Sequence, residues 1–553
     1  MNGSGSACHR ALGIQEIVRL ICYDLPKKNL ALLARTSKTF TESALDLLWW
    51  EQWTLAALVK CMPEDVWEQR GTRSTGIVVH MQHLLRPITS TDLPRLLYYS
   101  VRIRQLELVY VSQSVHHELL SALDMALPAQ NFMPKLVQFV WAPNKKDGLS
   151  ILRHFLGPRI RKLHLSLPTT AGLSVLPFVK TSCSRVSDFD LALPSNSRNF
   201  IPLISDAVCA WGSLTELSVP NLDKAGFIHA AQLPSLKKLG LCSVDEASPL
   251  HLPEFLTKPA FPALEDLSVC CKTARFCVGL VQIISSHQLS TLSISPMSPW
   301  TTDAWQTLHS ALRDHLNHVA LTSLDITDCG SLVRPAEDAL APYLLSSDVL
   351  RPLLVFRKMK SVTIQTFPGI DVDDAFMEEL AKAWKRLSSL HLCSEVSIMQ
   401  CPRATLQCLI PFARHCPRLG SLGIRIDARD VPTFKQVAGD RVEQNWLDCI
   451  YVGTSWINSS IENMGEAAAF ITNLFLMLDL SLWAYDNPMP EPFSSYQETW
   501  GRVSDLLPIF RSVRSDEQEF WTEELQAEDD EEEDEEDQEE ASTTDGQTNG
   551  LVL

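Results

Sequence analysis

The chain contains few residues arranged for bond chemistry. His116, His117 and Glu118 are consecutive, whereas a zinc-binding helix places its histidines four residues apart. A solvated helix face is therefore the better interpretation of this segment. The motifs GxGxxG, GxxxxGK[ST], HExxH and GxSxG do not occur in the sequence. We therefore predict no catalytic residue, no metal ligand and no cofactor, and we expect that the protein is not an enzyme.

The cysteines point to a reducing environment. Fifteen are scattered along the chain without a CxxC pair, and Cys270 and Cys271 are adjacent. This spacing is typical neither of a zinc site nor of a disulfide framework. The N-terminus has no apolar signal sequence, so we expect reduced thiols in an intracellular protein of the cytoplasm, the nucleus or both.

Composition excludes several classes of partner. The chain has 553 residues, 45% hydrophobic and 21% charged, as in a soluble globular protein. Its net charge is −18, but the run 528–540 holds 12 acids and one Gln, so the remainder carries about −6. Basic stripes with interleaved aromatic residues are absent, so we expect no nucleic-acid ligand. The most apolar stretch, 467–485, contains Asn473 and Asp479 and predicts a core-facing helix and no membrane span.

From about residue 103 the sequence repeats one phrase: apolar, two variable, apolar, one variable, apolar. Such copies recur every 22 to 38 residues, about 29 on average. Clear copies begin at Ile160, Leu214, Leu236, Leu264, Leu289, Leu321, Leu387 and Leu419, and weaker ones at Ile103, Leu136, Val186, Met359 and Leu447. The phrase predicts a short strand with alternate residues pointing inward, followed by a turn and a helical return.

The phrase resembles the leucine-rich repeat, including Cys329 at the Asn/Cys position of the copy 321–332. The resemblance implies stacked units with a parallel sheet on the concave side. Segments 305–312 and 375–384 have the helical spacing expected of the returns. An α/β domain with many parallel strands is the alternative, and the sustained period favours the solenoid.

The variable positions of the phrase predict a target-binding surface. In a curved array they line the concave face, which suits proteins or peptides because many weak contacts add up. His164 and His391 should project onto the same face. The alternative is that these positions are simply solvated. The candidate target-binding residues are Arg161, Lys162, Glu216, Lys237, Lys238, Asp266 and Asp325.

Residues 12–50 predict three short amphipathic helices. Ile14, Ile17, Val18, Ile21 and Leu25 form one helical stripe. Pro26 should end that helix, and Asn29 is a candidate N-cap for the second one. A third helix should present Phe40, Ala44, Leu47 and Leu48 on one side. A module this small cannot bury so much apolar surface internally, so it needs a partner.

This segment resembles an F-box, the motif that attaches substrate receptors to the adaptor of SCF-type (Skp–cullin–F-box) ubiquitin ligases. The chain departs from the family pattern at Gln15, where proline is usual, and at Asn29, where Asp is frequent. Proline pre-sets a helix start, so its loss weakens helix entry. The resemblance implies that adaptor-facing or hairpin-core contacts come from Ile14, Ile17, Ile21, Leu25, Leu30, Leu33, Phe40, Leu45 and Trp49.

The resemblance thus implies a substrate receptor whose partners are the SCF adaptor, through it a cullin, and an unknown protein target. The alternative is a leucine-rich-repeat scaffold with no ligase link, in which the N-terminal helices only cap the array. The expected fold is α/β: an F-box-like three-helix module, an irregular leucine-rich-repeat solenoid, a helical C-terminal cap and an acidic tail. The predicted segments are 1–11 (flexible), 12–50 (module), 51–102 (helical linker), 103–453 (array), 454–522 (cap) and 523–553 (disordered tail).

Overall fold

The structure is a computed structural model. It describes residues 12, 14–74, 77–109, 115–127, 132–142, 149–193, 198–244, 259–328, 340–392, 401–432, 444, 446–475, 478–481 and 492–516. The predicted flexible N-terminus and acidic tail lie outside these residues. The described residues form two compact units: the first runs to Met297 and includes His315–Asn317, and the second comprises Ser298–Asp314 and the chain from His318 onwards.

The first unit begins with the three helices that the sequence predicts, α1 (Gln15–Tyr23), α2 (Lys27–Thr36) and α3 (Lys38–Leu48). Their small core is built around buried Val18, Cys22, Leu30 and Ala44, against which Leu25, Leu33, Ala34, Phe40, Leu47 and Leu48 pack. These residues, 14–50, are called the N-terminal module below.

The predicted N-cap Asn29 is wrong, because α2 begins at Lys27 with Pro26 as its N-cap. Proline lacks a backbone N–H and has a fixed φ, here −62°, so Pro26 follows the end of α1 and also leads into α2. Gln15 is the first residue of α1, the position where proline is preferred, and Ile14 provides no side-chain cap. Ser37 caps α3 by accepting a hydrogen bond from the Thr39 N–H at 3.3 Å.

Residues 51–102 differ from the helical linker that the sequence predicted. The described residues of this segment form two α-helices, α4 (Ala56–Val59) and α5 (Pro94–Ser100), and one 3-10 helix, Ser90–Asp92. Between them lies an antiparallel hairpin of β2 (Trp67–Ser74) and β3 (Ile77–Leu84). The β-branched run Ile77-Val78-Val79 favours a strand over a helix. The segment opens with β1 (Glu51–Gln52), which pairs with the first repeat strand, so the sheet begins about fifty residues before the predicted array.

Every one of the thirteen phrases contains a strand of a parallel sheet. In the first unit these are β4 (Gln105–Val109), β5 (Gln138–Ala142), β6 (Lys162–Ser166), β7 (Asp188–Ala192), β8 (Glu216–Val219), β9 (Lys238–Val244), β10 (Asp266–Cys271) and β11 (Thr291–Pro296). In the second unit they are β12 (Ser323–Thr327), β14 (Ser361–Gln365), β16 (Ser389–His391), β17 (Ser421–Gly423) and β19 (Cys449–Tyr451).

Helical returns connect these strands. The α-helices are α6 (His117–Ala126), α7 (Leu176–Ser182), α8 (Ile201–Val208), α9 (Lys224–Gln232), α10 (Ala274–Ile283), α11 (Thr302–His315), α12 (Ser347–Leu350), α13 (Asp374–Ala383) and α14 (Leu409–His415). The 3-10 helices are Ser90–Asp92, Leu149–His154, Thr170–Val175, Arg198–Phe200, Ala341–Tyr343, Arg351–Val355 and Leu406–Cys408. The predicted helices at 305–312 and 375–384 are confirmed as parts of α11 and α13.

Most repeat strands bury alternate residues. In β6, for example, Leu163 and Leu165 are buried while Lys162, His164 and Ser166 stay partly or fully exposed. The inward side chains of neighbouring strands stack into one core, and Phe189 of β7 packs against Trp211 with ring centroids 4.9 Å apart. The indole N–H of Trp211 donates to the Cys183 carbonyl at 2.7 Å. The other side of the sheet, called the open face below, carries the variable residues.

One backbone contact repeats at most steps between neighbouring repeat strands. The Arg161 carbonyl accepts N–H bonds from Ser187 at 2.8 Å and Asp188 at 3.0 Å. The carbonyls of Arg104, Ser187, Thr215, Lys237 and Glu265 each accept such a pair from the next repeat, as do those of Thr322, Lys360, Ser388 and Gly420 in the second unit. Every such carbonyl belongs to the second position of a phrase, so the phrase itself sets the strand register.

The C-terminal segment differs from its prediction in one part. Of the helix predicted for the apolar stretch 467–485, only the first part lies in a helix, α15 (Ile461–Leu474). It is followed by β21 (Asp479–Ser481), which pairs with β19, and residues 476–477 and 482–485 lie outside the described residues. The local pattern favoured a helix at 479–481. Pairing with the edge of β19 stabilises a strand there instead. The final helix α16 spans 493–516 and buries Trp500, Val503 and Leu507. Two further pairs of short parallel strands follow repeat strands of the second unit. They are β13 (Leu345–Ser346) with β15 (Ile370–Asp371), and β18 (Asp427–Ala428) with β20 (Trp456–Ile457).

The fold is thus mixed α/β with parallel sheets and many helices, and it is consistent with a leucine-rich-repeat-like solenoid. Among the described residues, no helix is long and apolar enough to cross a membrane. The described cysteines are free thiols.

Replacing an inward strand residue should destabilise the first unit. Leu217 is 1% exposed, so Leu217→Ala should lower the free energy of unfolding by about 2–5 kcal/mol through lost burial and a residual cavity. Ser218 lies next to it on the open face, and Ser218→Ala should change the value by less than about 0.5 kcal/mol. Urea unfolding monitored by circular dichroism measures both. Equal effects of the two substitutions would contradict the assigned alternation.

Candidate functional site

The N-terminal module carries an excess of exposed apolar side chains. Leu20 and Tyr23 of α1 are 73% and 74% exposed, and Leu32 of α2 is 55% exposed. Ile14 and Ile21 are also exposed. These five residues are called the exposed apolar set. Since the module core already contains Val18, Cys22 and Leu25, the set is not needed to hold the three helices together.

Helix geometry explains why α1 is apolar on two sides. Residues advance by about 100° each, so Leu20 lies about 200° around the helix from buried Val18. Ile17, Leu20 and Ile21 are spaced i, i+3 and i+4 and therefore share one side of α1. Ile17 is half-buried. The stripe that the sequence predicted thus divides into a core side and a side available to a partner.

The predicted adaptor-binding residues divide in the same way. Ile14 and Ile21 are exposed, and Ile17 and Leu45 are half-buried. Leu30 is buried in the module core, where Leu25, Leu33 and Phe40 also pack. Trp49 stacks on Tyr99 of α5 with ring centroids 4.7 Å apart. Sequence reasoning missed Leu20, Tyr23 and Leu32 because it followed a single stripe, and an apolar residue opposite that stripe was the signal that could have found them.

A buried arginine fixes the module to the repeat sheet. The Arg102 side chain is 7% exposed and forms ion pairs with two carboxylates of α3, Glu42 at 2.7 Å and Asp46. Burial alone would lower the pKa of Arg102, but the hydrogen bonds to Glu42 and Asp46 raise it above its ordinary value. The same contact lowers the pKa of Glu42. Tyr98 completes the cluster: its hydroxyl donates to Glu42 at 3.1 Å, and its ring lies 4.7 Å from the Arg102 guanidinium carbon.

Further contacts reinforce this attachment. The Trp50 carbonyl accepts N–H bonds from Arg104 and Gln105, both at 2.9 Å, so the end of the module occupies the carbonyl position of the first repeat step. The Arg104 guanidinium carbon lies 4.6 Å from the centroid of the Trp50 ring. The module and the first strands therefore have a defined mutual geometry.

The open face of the first unit carries a row of charged residues. One row across the strands joins Lys162, Asp188, Glu216, Lys238 and Asp266. Nζ of Lys238 lies 3.2 Å from Glu216, and Nζ of Lys162 lies 3.8 Å from Asp188. The charges of this row therefore compensate one another in part.

The remaining predicted target-binding residues occupy related positions. Lys237 pairs with Glu265 at 2.7 Å, and Arg161 is exposed next to Lys162. Burial raises the pKa of Asp266. Four of the seven predicted residues, Lys162, Glu216, Lys238 and Asp266, therefore share the charged row of the first unit, and Arg161 and Lys237 directly precede two of them in the chain. Asp325 belongs to the second unit, where it accepts a hydrogen bond from the Thr327 hydroxyl at 2.6 Å.

His164 and Asp188 are hydrogen-bonded to each other on the open face of the first unit. Nε2 of His164 lies 3.2 Å from Oδ1 of Asp188, and this hydrogen bond raises the pKa of His164 above its ordinary value. Burial would raise the pKa of Asp188, but His164 and the nearby lysines lower it. Asp190 continues the row that contains His164. Sequence reasoning placed His164 on this face but missed Asp188 and Asp190, because they come from a weak copy of the phrase.

The open face of the second unit is largely uncharged. Its first row joins Ser323, Ser361, Ser389, Ser421 and Cys449. The Ser421 hydroxyl lies 2.9 Å from Nε2 of His391 and accepts from the Cys449 thiol at 3.4 Å. The ring of His391 lies 5.1 Å from that of Tyr451, and burial lowers the pKa of His391. His391 therefore projects onto the open face as predicted, in a neutral environment.

Among the described residues, no group of three or more His, Cys, Asp or Glu side chains is placed to hold a metal ion. The cluster at His116 is a stack of rings: His116 lies 4.4 Å from His83 and 4.1 Å from His117. His116 is the N-cap of α6 and accepts a hydrogen bond from the Glu118 N–H at 3.4 Å.

Solved structures that are similar to this chain include the following two. The crystal structure of the Rad7 and Elc1 complex in yeast is 13% identical over 67% of this chain and 85% of that chain, with a TM-score of 0.32. The leucine-rich repeat-containing protein LegL7 from Legionella pneumophila is 12% identical over 62% of this chain and 98% of that chain, with a TM-score of 0.29. No family model matches the chain, and no curated protein matches it.

Removing the Arg102 cation should loosen the N-terminal module. Arg102→Met leaves Glu42 and Asp46 without their common partner, and we expect the free energy of unfolding to fall by roughly 1–3 kcal/mol. The decrease is moderate because both carboxylates keep some contact with water. Hydrogen–deuterium exchange should increase across residues 14–50. The control is Arg95→Met, which alters an exposed arginine of α5. Unchanged protection of α1 to α3 in Arg102→Met would contradict the role of this arginine.

The pKa values of the two open-face histidines should be shifted in opposite directions from the usual value of histidine. His164 should have a pKa above 6.5 because of Asp188, and His391 a pKa below 6.5 because of burial. Protonated His164 therefore stabilises the fold below the unfolded pKa, and this contribution is lost as the pH rises through the folded pKa. NMR titration of the ring protons measures both values. Asp188→Asn should lower the pKa of His164 and leave that of His391 unchanged.

Proposed function

We propose that the chain is the non-catalytic substrate-recognition subunit of an SCF-type ubiquitin ligase. The N-terminal module binds the SCF adaptor, and through it a cullin, while the open face of the repeat sheets binds a protein target. The observation that carries the proposal is the exposed apolar set on a module whose own core is complete. In water such a surface favours burial against a partner.

The Arg102 cluster supports the receptor role. A substrate receptor makes no bond itself and acts by raising the effective concentration of the target near the ligase, which requires a suitable geometry between its two binding surfaces. The ion pairs of Arg102 and the stacking of Trp49 on Tyr99 provide such a connection to the first repeat strands. The charged open face of the first unit then offers positions for polar contacts with a target.

The second candidate function is a protein-interaction scaffold without a ligase link. The observation that favours it is the continuation of the backbone ladder into Trp50 and β1. These contacts let the module cover the first edge of the sheet, which is the role of a cap in a repeat protein. In this case the open face alone carries the function.

Binding of purified SCF adaptor to the full chain tests the first candidate. A triple variant, Leu20→Glu, Ile21→Glu and Leu32→Glu, places charges on the exposed apolar set, and we expect at least about a hundredfold weaker binding in isothermal titration calorimetry. Leu30 and Leu33 are poor choices for this test because they pack in the module core. The matched control is Met125→Glu, at an 81% exposed apolar residue of α6.

Three results would decide between the candidates. Loss of binding in the triple variant, with an unchanged thermal melt and normal binding by the control, supports the receptor. Equal binding of the triple variant excludes the proposed docking surface. Absence of adaptor binding by the wild-type chain favours the scaffold.

A further inference from the structure

The turns that precede β14, β16 and β17 of the second unit share one hydrogen-bonding pattern. In each turn the N–H of the last residue donates to the carbonyl of the first: Met359 to Phe356 at 3.3 Å, Leu387 to Trp384 at 3.1 Å, and Leu419 to Cys416 at 3.1 Å. The first and last residues of all three turns are buried. The two middle residues of each turn are exposed.

The exposed positions of these turns are occupied mainly by cations. Five of the six middle residues are basic, Lys360 directly follows the first turn, and the segments 356–360, 384–388 and 416–420 contain no acidic residue. Among the described residues, none of these six basic side chains forms an ion pair. The six residues are called the basic rim below, and they are Arg357, Lys358, Lys360, Lys385, Arg386 and Arg418.

The strand register brings the basic rim together across three neighbouring repeats. The Lys360 carbonyl accepts the Ser388 N–H at 2.7 Å, and the Ser388 carbonyl accepts the Gly420 N–H at 2.9 Å. Neighbouring strands of a sheet lie about 4.8 Å apart. Cations at the same position of successive turns are therefore held close together and repel one another. The residues two positions before these three contacts occupy equivalent places, and they are Lys358, Arg386 and Arg418.

The positive charge extends to the helices that precede the turns. Burial lowers the pKa of His415 in α14, and the charges of Lys382, Arg414 and Lys385 lower it further. Cations from two neighbouring repeats thus act on the same histidine. In the next repeat the position that corresponds to Gly420 is Asp448, so the basic surface ends at the turn before β17.

The final helix of the chain ends at the same edge of the second sheet. Nη2 of Arg511 in α16 donates to the carbonyl of Leu478, which directly precedes β21. The Gln444 N–H donates to the Leu474 carbonyl at 3.0 Å, and Nε2 of Gln444 donates to the Leu419 carbonyl at 2.9 Å. Leu419 belongs to the turn that carries Arg418. These contacts place the end of α16 and the basic rim at the amino ends of the same group of strands.

The acidic run 528–540 begins twelve positions after Asp516, where α16 ends, and contains 12 acids. A segment of twelve residues spans up to about 40 Å. The four strand steps from β21 through β19, β17 and β16 to β14 amount to about 20 Å. The acidic run is therefore long enough to reach every turn of the basic rim. Attachment to the same chain also raises its effective concentration at the rim to the millimolar range.

We propose that the basic rim binds the acidic run 528–540 of the same chain. Opposite charge and the position of the end of α16 both select this occupant. Another anionic molecule then reaches the rim only by displacing the run. The interaction goes beyond the proposed receptor function and does not depend on adaptor binding. Because it joins exposed charges, salt weakens it.

Carbodiimide cross-linking of the full chain tests the contact. The reagent activates a carboxylate, and a lysine amine then forms an amide bond while the reagent leaves as a urea. Mass spectrometry should find the acidic run joined to Lys358, Lys360 and Lys385. Raising the salt concentration from about 50 mM to about 500 mM should lower the yield at least about fivefold.

A variant that keeps all three lysines shows whether the charge of the rim is required. Arg386→Glu combined with Arg418→Glu should lower the cross-linking yield at the lysines at least about fivefold, because two attractive charges become repulsive. The matched control is Arg159→Glu combined with Arg185→Glu. These exposed arginines precede β6 and β7 at the equivalent position in the first unit. The control should cross-link like the wild type.

An equal mixture of ¹⁵N-labelled and unlabelled chain identifies the source of the acidic run. Cross-links within one isotopic form support the proposal, and cross-links between the two forms indicate a second copy and overturn it. The proposal is also overturned if the run does not reach the three lysines, if its cross-links are spread evenly over exposed lysines, or if the rim variant cross-links like the wild type. Should the rim variant melt at a lower temperature, the map and the salt dependence of the wild-type chain decide the question.

Discussion

The fold depends on one backbone contact, the carbonyl that accepts two consecutive N–H groups from the next repeat. Arg161 and Lys360 illustrate it in the first and second units. This contact fixes the register of each strand against its neighbour, so the leucines of successive phrases meet on one side of the sheet. A single phrase cannot bury its apolar side, and the stack forms because each neighbour covers the next. The outward-facing surface depends on this register as well, since the register aligns the outward residues into rows.

The repeat strands of the two units use the same backbone scheme for different surfaces. In the first unit the outward row contains charges of both signs, and Lys238 lies between Glu216 and Asp266. In the second unit the corresponding row is mainly serine, beside His391 and Tyr451. Because outward side chains contribute little to the core, their identity varies without loss of the fold. The N-terminal module adds a third kind of surface, which is apolar and joined to the first sheet through Arg102.

The phrases predicted all thirteen repeat strands, because alternation in the strand and burial on one side leave a period-two signal. They did not predict β1 or β21. These strands lack the full phrase and exist because an edge strand offers unpaired backbone groups. The hairpin β2–β3 was missed for a related reason, since a helical interpretation of the linker gave too little weight to the β-branched run at Ile77. The three module helices were predicted correctly, but the N-cap of the second helix is Pro26 and not the predicted Asn29.

The sequence by itself determined the repeat period, the strand positions and the existence of a compact helical module, because these follow from the spacing of apolar residues. Only the tertiary structure decided which of those residues remain exposed. Leu20 and Leu30 are equally apolar, yet one is 73% exposed and the other 4%. Arg102 is not distinguishable from other arginines by pattern, since its burial is produced by residues distant in the chain. The burial of a residue depends on the neighbours that pack against it, and the local sequence does not contain those neighbours when they are distant in the chain.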